Sequence, residues 1–196
     1  MNEIAEIIQT SMHQIDKMPP DKKKEVLKLL EEYESAKIKE RARTEFLPFV
    51  NSQWAAFIHG KHHEVMADAF ERVASGKLKR LIVNMPPRHT KSEFASFLFP
   101  AWFLGRYPQK KIIQTAHTAE LSVGFGRKVR NLIQTEDFKK IFPDVTLSTD
   151  SKAAGRWNTN KGGEYFAIGV GGAVTGKGAD VLVIDDPHSE QEATVG

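Results

Sequence analysis

Two short stretches of the chain carry residues suited to phosphate and metal chemistry. Lys91 and Ser92 end the segment MPPRHTKS, and the carboxylate pair Asp185-Asp186 follows an apolar run much later in the chain. A lysine cation binds phosphate oxygens and a serine hydroxyl can ligate Mg²⁺, while two carboxylates can hold that metal and activate water. These residue types therefore predict a site that binds a nucleoside triphosphate with Mg²⁺ and hydrolyses it.

The segment MPPRHTKS departs from the usual phosphate-loop pattern G-x-x-x-x-G-K-[ST]. Met85 stands at the first glycine position and Thr90 at the second, where close approach of phosphate favours a missing side chain. Pro86-Pro87 can stiffen the turn because proline fixes φ. The surrounding pattern still fits a phosphate loop, with a strand over Arg80 to Asn84, a turn over Pro86 to Thr90, and a helix from Glu93 onward.

The carboxylate pair lies at the predicted end of a buried strand, Val181 to Ile184. Catalytic groups of open α/β sheets gather at the carboxyl ends of the strands. We therefore assign Asp185 to the metal and Asp186 to the attacking water. The alternative is an ordinary turn, since Asp and Pro in Asp185-Asp186-Pro187 are common turn residues.

The elements that must position these residues alternate along the chain from Phe46. The pattern predicts strands at Leu81-Ile82-Val83, Lys111 to Ala116 and Val181 to Ile184, and helices at Phe94 to Leu104 and Thr118 to Gln134. This order is typical of an α/β fold whose sheet is mostly parallel and covered by helices on both faces.

The sequence pattern predicts a helical arm over residues 1–45, followed by an α/β core over residues 46–196. Ile4, Ile8, Met12 and Ile15 have helical spacing, and a second helical pattern begins after Pro19-Pro20-Asp21. Its dense Lys and Glu residues favour a solvated helix with a thin apolar stripe. A docking arm for a partner is the alternative, although no residue selects the partner.

Composition excludes several classes of protein. The chain has 196 residues, is 40% hydrophobic and contains no cysteine, so it can bury one substantial core but can form neither disulfides nor thiolate metal sites. No run approaches the ~18 apolar residues of a membrane span, and the amino terminus does not resemble a secretion signal. We expect a soluble protein. The net charge of +3 comes from the residues after the arm, where any contact with a polyanion is expected.

Together, the motifs resemble the ATPase domain of the large terminase subunit, the DNA-packaging motor of tailed bacteriophages. Members of that family often have Pro-Pro-Arg-His before the lysine, so MPPRHTKS resembles the terminase variant of the phosphate loop. The resemblance runs from about Phe46 to the end of the chain. It rests on Lys79 to His89, Phe99-Pro100-Ala101-Trp102, Ile141-Phe142-Pro143, Gly162-Gly163-Glu164-Tyr165, Thr175-Gly176 and Ile184-Asp185-Asp186-Pro187.

The resemblance implies a three-layer P-loop NTPase fold that binds ATP and Mg²⁺. The implied phosphate cradle consists of Pro87, Arg88, His89, Thr90, Lys91 and Ser92, with Ser92 and Asp185 on the metal and Asp186, Lys91 and Arg88 in catalysis. Arg88 would sense or neutralise the γ-phosphate; the alternative is an arginine in a surface salt bridge. Adenine would be met within Trp54 to His63, with Trp54 and His63 as contacts. For His59, His62 and His63, helix capping or contact with adenine is favoured over metal binding.

The implied partners are double-stranded DNA, further large subunits in a ring, the small subunit and the portal protein, in the cytoplasm of an infected bacterial host. No membrane partner is expected. Two features depart from the family pattern. Asp186 stands where packaging ATPases often have Glu, and the arginine that related motors supply to a neighbouring subunit has no clear equivalent. Lys177, Arg127, Arg130 and Arg156 all remain candidates for that role.

The family continues beyond the acidic strand with another strand, a lid and a nuclease domain, whereas this sequence ends at Gly196. In this ATPase class the next strand lies between the loop strand and the acidic strand, so the sheet is expected to be incomplete at its carboxyl end. The chain is then expected to be the amino-terminal piece of a terminase: a fragment, a truncated reading frame, or half of a split protein whose complementing downstream segment donates the missing strand. Nuclease activity is expected to be absent. One alternative is a non-catalytic module that binds nucleotide, DNA or a partner terminase subunit. Another is a related helicase, but no helicase motif follows the acidic strand in this sequence.

Overall fold

The computed structural model describes residues 18–188. The first predicted helical pattern, Ile4 to Ile15, lies outside them. The described residues form an α/β fold of six α-helices, one π-helix and five strands. The helices are α1 Pro20–Thr44, α2 Phe46–Gln53, α3 Lys61–Ala74, the π-helix Glu93–Leu98, α4 Phe99–Arg106, α5 Ala119–Ile133 and α6 Glu136–Ile141. The strands are β1 Lys111–Ala116, β2 Leu147–Lys152, β3 Arg156–Thr159, β4 Glu164–Gly169 and β5 Val181–Asp185.

The chain divides into two compact units, Met1–Arg41 and Ala42–Gly196, so the division falls within α1. In the first unit, Leu29 and Ile38 of α1 are both more than half exposed. This exposure agrees with the predicted solvated helix. No helix in the described part of the chain is long and apolar enough to cross a membrane.

The five strands form one sheet in the order β2-β3-β4-β1-β5. β1 runs parallel to both β4 and β5, whereas the β2–β3 and β3–β4 pairings are antiparallel. The sheet is therefore mixed, and the predicted mostly parallel sheet is wrong. β2, β3 and β4 are short and follow one another through tight turns, such as the turn at Gly162 with φ of 85°. Such turns can connect only antiparallel neighbours.

Helix α5 and the π-helix pack on the same face of the sheet. Gly126 of α5 lies so close to Tyr165 of β4 that an added Cβ would be 3.0 Å from the ring. The π-helix reaches Gln114 of β1 on the same face, because Gln114 pairs with Ala167, two residues after Tyr165. On the opposite face, Leu182 and Ile184 of β5 are 58% and 57% exposed. The predicted cover on both faces is therefore absent over β5 in residues 18–188.

The predicted strand over Arg80 to Asn84 is also wrong. The segment before the loop is extended and its exposure alternates, but it forms no ladder with any described strand. Ile82 is 85% exposed. A strand is defined by hydrogen bonds to a neighbour, and β5, the edge strand at this end of the sheet, does not supply them.

The predicted helix after the loop is confirmed, with one change in its geometry. It begins as a π-helix and continues as α4, in which Pro100 is an early residue. Pro100 has no N–H to donate to the carbonyl of Ser96, and its ring would clash with that carbonyl in a regular α-helix. The wider π turn relieves this conflict, and π turns are frequent at functional sites.

An aromatic core holds the π-helix in place. Phe46 at the start of α2 makes edge-on contacts with Phe94 of the π-helix and Phe70 of α3, each with a ring separation of 5.6 Å. Trp102 of α4 is fully buried and donates its indole N–H to the carbonyl of Ala42 at 3.1 Å. Burial of these large rings contributes most of the local stability. The helix that follows the phosphate loop therefore has a fixed position against the sheet.

Candidate functional site

The structure brings the two predicted stretches together. Ser92 Oγ donates a hydrogen bond to Asp185 Oδ1 at 3.1 Å, although the two residues are 93 positions apart. Lys91 Nζ donates to Asp186 Oδ1, also at 3.1 Å. The loop thus meets the carboxyl end of β5, as expected for catalytic groups of an α/β sheet. One cation, one hydroxyl and two carboxylates share this edge.

Backbone strain concentrates at the same place. Among the described residues, the only non-glycine residues with positive φ are Arg88 at 63°, Thr90 at 64° and Asp186 at 41°. Such conformations cost about 1–3 kcal/mol each and persist where the surrounding structure imposes them. The carbonyl of Thr90 also accepts the N–H of Phe94 at 2.9 Å, which starts the helix directly after the loop. The loop therefore keeps a strained shape beside the carboxylates.

Asp185 is held on both of its oxygens. It is 6% exposed, and Ser96 Oγ donates to Asp185 Oδ2 at 2.9 Å while Ser92 occupies the other oxygen. Gln114 Nε2 donates in turn to Ser96 Oγ at 3.3 Å, from the centre of β1. These hydrogen bonds fix the orientation of the carboxylate toward Ser92.

Ser96 and Gln114 belong to the site but were not predicted from the sequence. A weak signal for each was present. Ser96 follows Ser92 by four residues, the spacing at which side chains share a helix face. Gln114 carries a side-chain amide in the middle of the mostly apolar strand KIIQTA. A buried amide in a central strand needs a polar partner, and this need points to a nearby polar network.

Substitution of Ser96 with alanine is expected to lower the free energy of unfolding by about 1–3 kcal/mol. The change leaves Asp185 Oδ2 without its donor in a buried position, which costs the desolvation of that oxygen. Chemical denaturation measures the change. Ser148→Ala is the matched control, because Ser148 Oγ donates to the exposed Asp150 in its own strand β2. An equal, small loss in both variants would contradict the role given to Ser96.

Lys91 and Asp186 form a partly exposed ion pair. Their side chains are 29% and 65% exposed, so solvent screens the pair and it adds little stability. Arg88 lies beside them on the loop, exposed, and contacts no charged partner among residues 18–188. The alternative role of Arg88 in a surface salt bridge therefore has no support in the described structure.

The predicted adenine contacts, Trp54 and His63, have different environments. Trp54 is half-buried, and its ring lies 5.4 Å from that of Phe57. His63 is 3% exposed and uses both ring nitrogens in hydrogen bonds, to Gly60 and to Thr90. Burial lowers the pKa of His63, and the nearby imidazoles of His62 and His59 lower it further. Contact with adenine stays a prediction for both residues.

The residues present fit a magnesium ion better than a histidine-bound metal. Ser92 Oγ and Asp185 Oδ1 lie together, and Mg²⁺ typically takes one or two protein oxygens and completes its shell with phosphate and water. No group of three or more acidic, histidine or cysteine side chains within residues 18–188 could hold a metal by itself. The histidines near His63 do not form such a group either.

Two candidates for the arginine supplied to a neighbouring subunit contact Glu164, at the end of the parallel strands opposite to Asp185. Lys177 Nζ and Arg156 Nε both donate to Glu164 Oε1, at 3.2 and 3.0 Å. Glu164 pairs with Lys111 at the start of β1, whereas Asp185 pairs with the last residue of that strand. Burial would raise the pKa of Glu164, but the bonds from Lys177 and Arg156 lower it below its ordinary value. Both cations are thus committed to another carboxylate.

The other two candidates, Arg127 and Arg130, lie on α5. Arg127 is exposed, and Arg130 Nε donates to Asn131 Oδ1 at 3.3 Å. The choice between them stays open.

The arrangement could bind a polyphosphate with a divalent metal and direct a water molecule toward it. A lysine supplies the cation, Ser92 and Asp185 supply oxygen ligands, and Asp186 supplies a carboxylate at the exposed side of the site. No protein-family model, curated protein or solved structure matches the chain.

Proposed function

We propose that this chain is the ATP-hydrolysing motor domain of a phage terminase large subunit, which drives double-stranded DNA into a procapsid. The strongest support is the convergence of Lys91 and Ser92 with Asp185 and Asp186 at one edge of the sheet. These residues belong to two motifs of a phosphate-loop ATPase, and chance placement of both motifs in contact is improbable. The terminase assignment within that class rests on the sequence resemblance.

Each residue has a distinct role in the proposed reaction. Lys91 binds the phosphate oxygens, Arg88 contacts the γ-phosphate, and Ser92 with Asp185 holds Mg²⁺. When bound, Mg²⁺ neutralises charge that develops on the phosphates. Asp186 accepts a proton from the attacking water as general base.

The ion pair between Lys91 and Asp186 gives this reaction an order of events. Before nucleotide arrives, Lys91 Nζ occupies Asp186 Oδ1 at 3.1 Å. Phosphate oxygens compete for the same ammonium group, so binding of ATP draws Lys91 away from Asp186. The carboxylate of Asp186 then becomes available to accept a hydrogen bond from water.

The proposed partners follow from the terminase assignment. They are double-stranded DNA, other large subunits in a ring, the small subunit and the portal protein, in the cytoplasm of an infected host. DNA contact would rest on neutralisation of backbone phosphates by Lys and Arg, and it should therefore weaken steeply as salt is raised.

A further proposed partner is a downstream terminase segment that adds a strand beside β5. The extended segment 80–86 leads into the loop, and the loop contacts the end of β5. In the described structure, neither segment 80–86 nor the outer edge of β5 pairs with a further strand. Ile82 is 85% exposed, and Leu182 and Ile184 are more than half exposed. An extended segment with apolar side chains would cover these residues and satisfy the backbone groups of both edges.

The same open edges favour a second candidate function. A chain whose loop segment lacks a neighbouring strand could bind nucleotide, DNA or a partner terminase subunit without turnover. The site would then be correctly composed but insufficiently rigid for catalysis, which requires fixed geometry. Retained binding of ATP with no hydrolysis would select this non-catalytic module.

Steady-state ATP hydrolysis, measured with and without Mg²⁺ and double-stranded DNA, tests the proposed function. The motor assignment predicts hydrolysis that requires Mg²⁺ and increases with DNA at low salt. Hydrolysis that DNA does not affect at any salt concentration would leave an ATPase but contradict the motor assignment. A preparation of Lys91→Ala made in the same way controls for contaminating ATPases.

A further inference from the structure

Thr90 occupies a position that usually requires glycine in a phosphate loop, and it has the backbone conformation that glycine prefers there. Its φ is 64°, in the left-handed region. A β-branched residue is disfavoured in that region because its side chain crowds the backbone. Something outside the loop must therefore stabilise Thr90 in this conformation.

His63 makes the contact that can do so. His63 Nε2 and Thr90 Oγ1 lie 2.8 Å apart, although the residues are 27 positions apart in sequence. Two other hydrogen bonds determine the direction of this one. The N–H of Gly60 donates to His63 Nδ1 at 2.9 Å, and Thr90 Oγ1 donates its single hydrogen to the carbonyl of His89 at 2.6 Å.

These donors leave one protonation state for the imidazole. Because Nδ1 accepts a hydrogen bond, it carries no proton, and the neutral ring must carry its proton on Nε2. Because the hydroxyl of Thr90 gives its hydrogen to His89, it must accept from Nε2. The bond from Gly60 to Nδ1 and the bond from Thr90 to His89 therefore require the same tautomer of His63, with its proton on Nε2.

The ring of His63 has little freedom to move. His63 is 3% exposed. The centroid of its ring lies 4.7 Å from that of Phe57 and 4.9 Å from that of Phe94, on which it stacks. The backbone of His63 is also fixed near the start of α3, because its backbone N–H donates to the carbonyl of Gly60 at 2.9 Å. A rigid donor thus points at the strained residue of the loop.

We propose that His63 is a positioning residue for the phosphate loop: its neutral Nε2–H form holds the hydroxyl of Thr90 and so takes the place of the loop's missing glycine. The inference rests on the proposed function only in that a nucleotide phosphate is taken as the loop's ligand. His63 acts through Thr90 and does not itself need to touch the nucleotide.

The proposed role makes the loop sensitive to pH. A proton added to Nδ1 would meet the N–H of Gly60 and break that bond, which weakens the placement of the whole ring. The ionisable groups around His63 are the imidazoles of His62, His59 and His89, and Glu64 lies 3.5 Å from His59. A second positive charge in this group of imidazoles would repel the first.

The sign of the pH effect follows from the environment of the ring. Burial and the neighbouring imidazoles lower the pKa of His63 below its ordinary value of 6.5, so the folded protein favours the neutral ring. The stabilisation is complete above 6.5 and is lost as the pH falls from 6.5 toward the lowered pKa. The loop should lose order as the pH falls through the lowered pKa, because the folded ring takes up its proton there.

Hydrogen exchange of the loop amides, measured without nucleotide, tests the proposal directly. In His63→Asn, the amide oxygen can replace Nδ1 as acceptor for Gly60, but no donor reaches Thr90. Exchange over residues 88–92 should then become about tenfold faster, as expected for the loss of one hydrogen bond. His63→Gln, whose terminal NH₂ can reach the position of Nε2, should restore much of the protection and remove its dependence on pH below 6.5.

A double-mutant comparison separates this role from general destabilisation. Glycine adopts positive φ without strain, so the loop of Thr90→Gly should not need His63. In that background, His63→Asn should change loop exchange by less than about twofold, so that the effects of the two substitutions are clearly non-additive. Asp68→Asn, on the exposed side of the same helix, is the control for the introduction of asparagine.

The affinity for Mg-ATP of the same variants distinguishes failure of this proposal from failure of the proposed function. Faster loop exchange in His63→Asn that Thr90→Gly abolishes supports the positioning role, even if no variant binds ATP. Unchanged loop exchange in His63→Asn overturns it, even if all variants bind ATP normally. Equal effects of His63→Asn with threonine and with glycine at residue 90 also overturn it.

Discussion

Replacement of Lys91 with alanine should weaken the binding of Mg-ATP by about 100-fold. Loss of one partner from a charged hydrogen-bonded contact typically costs about 2–5 kcal/mol, and each 1.4 kcal/mol is a tenfold change in affinity. The fold should be unaffected, because the partner that Lys91 leaves behind, Asp186, is 65% exposed. Equilibrium dialysis with labelled ATP measures the change in affinity.

Lys128→Ala is the matched control for Lys91→Ala. Lys128 pairs with Glu93, directly after the loop, at 2.7 Å, and it is also partly exposed. Its removal takes one positive charge from the same region but no predicted phosphate contact. Similar losses of affinity in the two variants would mean that the lysine acts only through net charge, and Lys91 would lose its assigned role.

Replacement of Asp186 with asparagine should reduce the rate of hydrolysis by about 10²–10⁴-fold, the usual contribution of a general base. Binding should persist and even become tighter, by up to about fivefold. Asparagine no longer pairs with the ammonium group of Lys91, and an exposed ion pair is worth at most about 1 kcal/mol. Single-turnover kinetics and equilibrium binding separate the two effects.

Asp137→Asn controls for the charge change, since Asp137 forms an exposed ion pair with Lys140 within α6. A normal rate of hydrolysis in Asp186→Asn would show that another group activates water. Weaker binding in that variant would instead assign Asp186 to the metal or the nucleotide.

Several elements of the core could be predicted from local pattern alone. β1 has its predicted bounds, Lys111–Ala116, because a short apolar run between charged and polar residues has few alternatives to a strand. α5 begins after Thr118, whose side chain accepts the N–H of Leu121 at 3.2 Å, and such caps are readable in sequence. β5 extends the predicted strand by one residue, to Asp185.

The arrangement of the strands could not be predicted in the same way. The segment Arg80 to Asn84 has a strand-like composition, but its pairing depends on a neighbour that its own residues do not specify. β2, β3 and β4 were not predicted, because they are short and β2, LSTDSK, is polar after its first residue. Strand pairing is a property of distant residues, so it escapes an analysis of local periodicity.

The site shows the same division between local and distant information. Lys91, Ser92, Asp185 and Asp186 could be found because their chemistry is recognisable in two short motifs. The hydrogen bonds that fix them come from residues with no motif, such as Ser96 in an apolar helix. The sequence resemblance predicts an adenine contact at His63, whereas its hydrogen bond to Thr90 is visible only in the tertiary structure.

Hydrogen exchange of the whole chain with saturating Mg-ATP, compared with the nucleotide-free chain, tests the central claim most directly. New protection is expected in the loop over residues 88–92 and at the end of β5 around Asp185, and this protection should require Mg²⁺. Binding of ATP that protects only other regions, or no change in exchange at millimolar Mg-ATP, would contradict the assignment of this edge of the sheet as a nucleotide site.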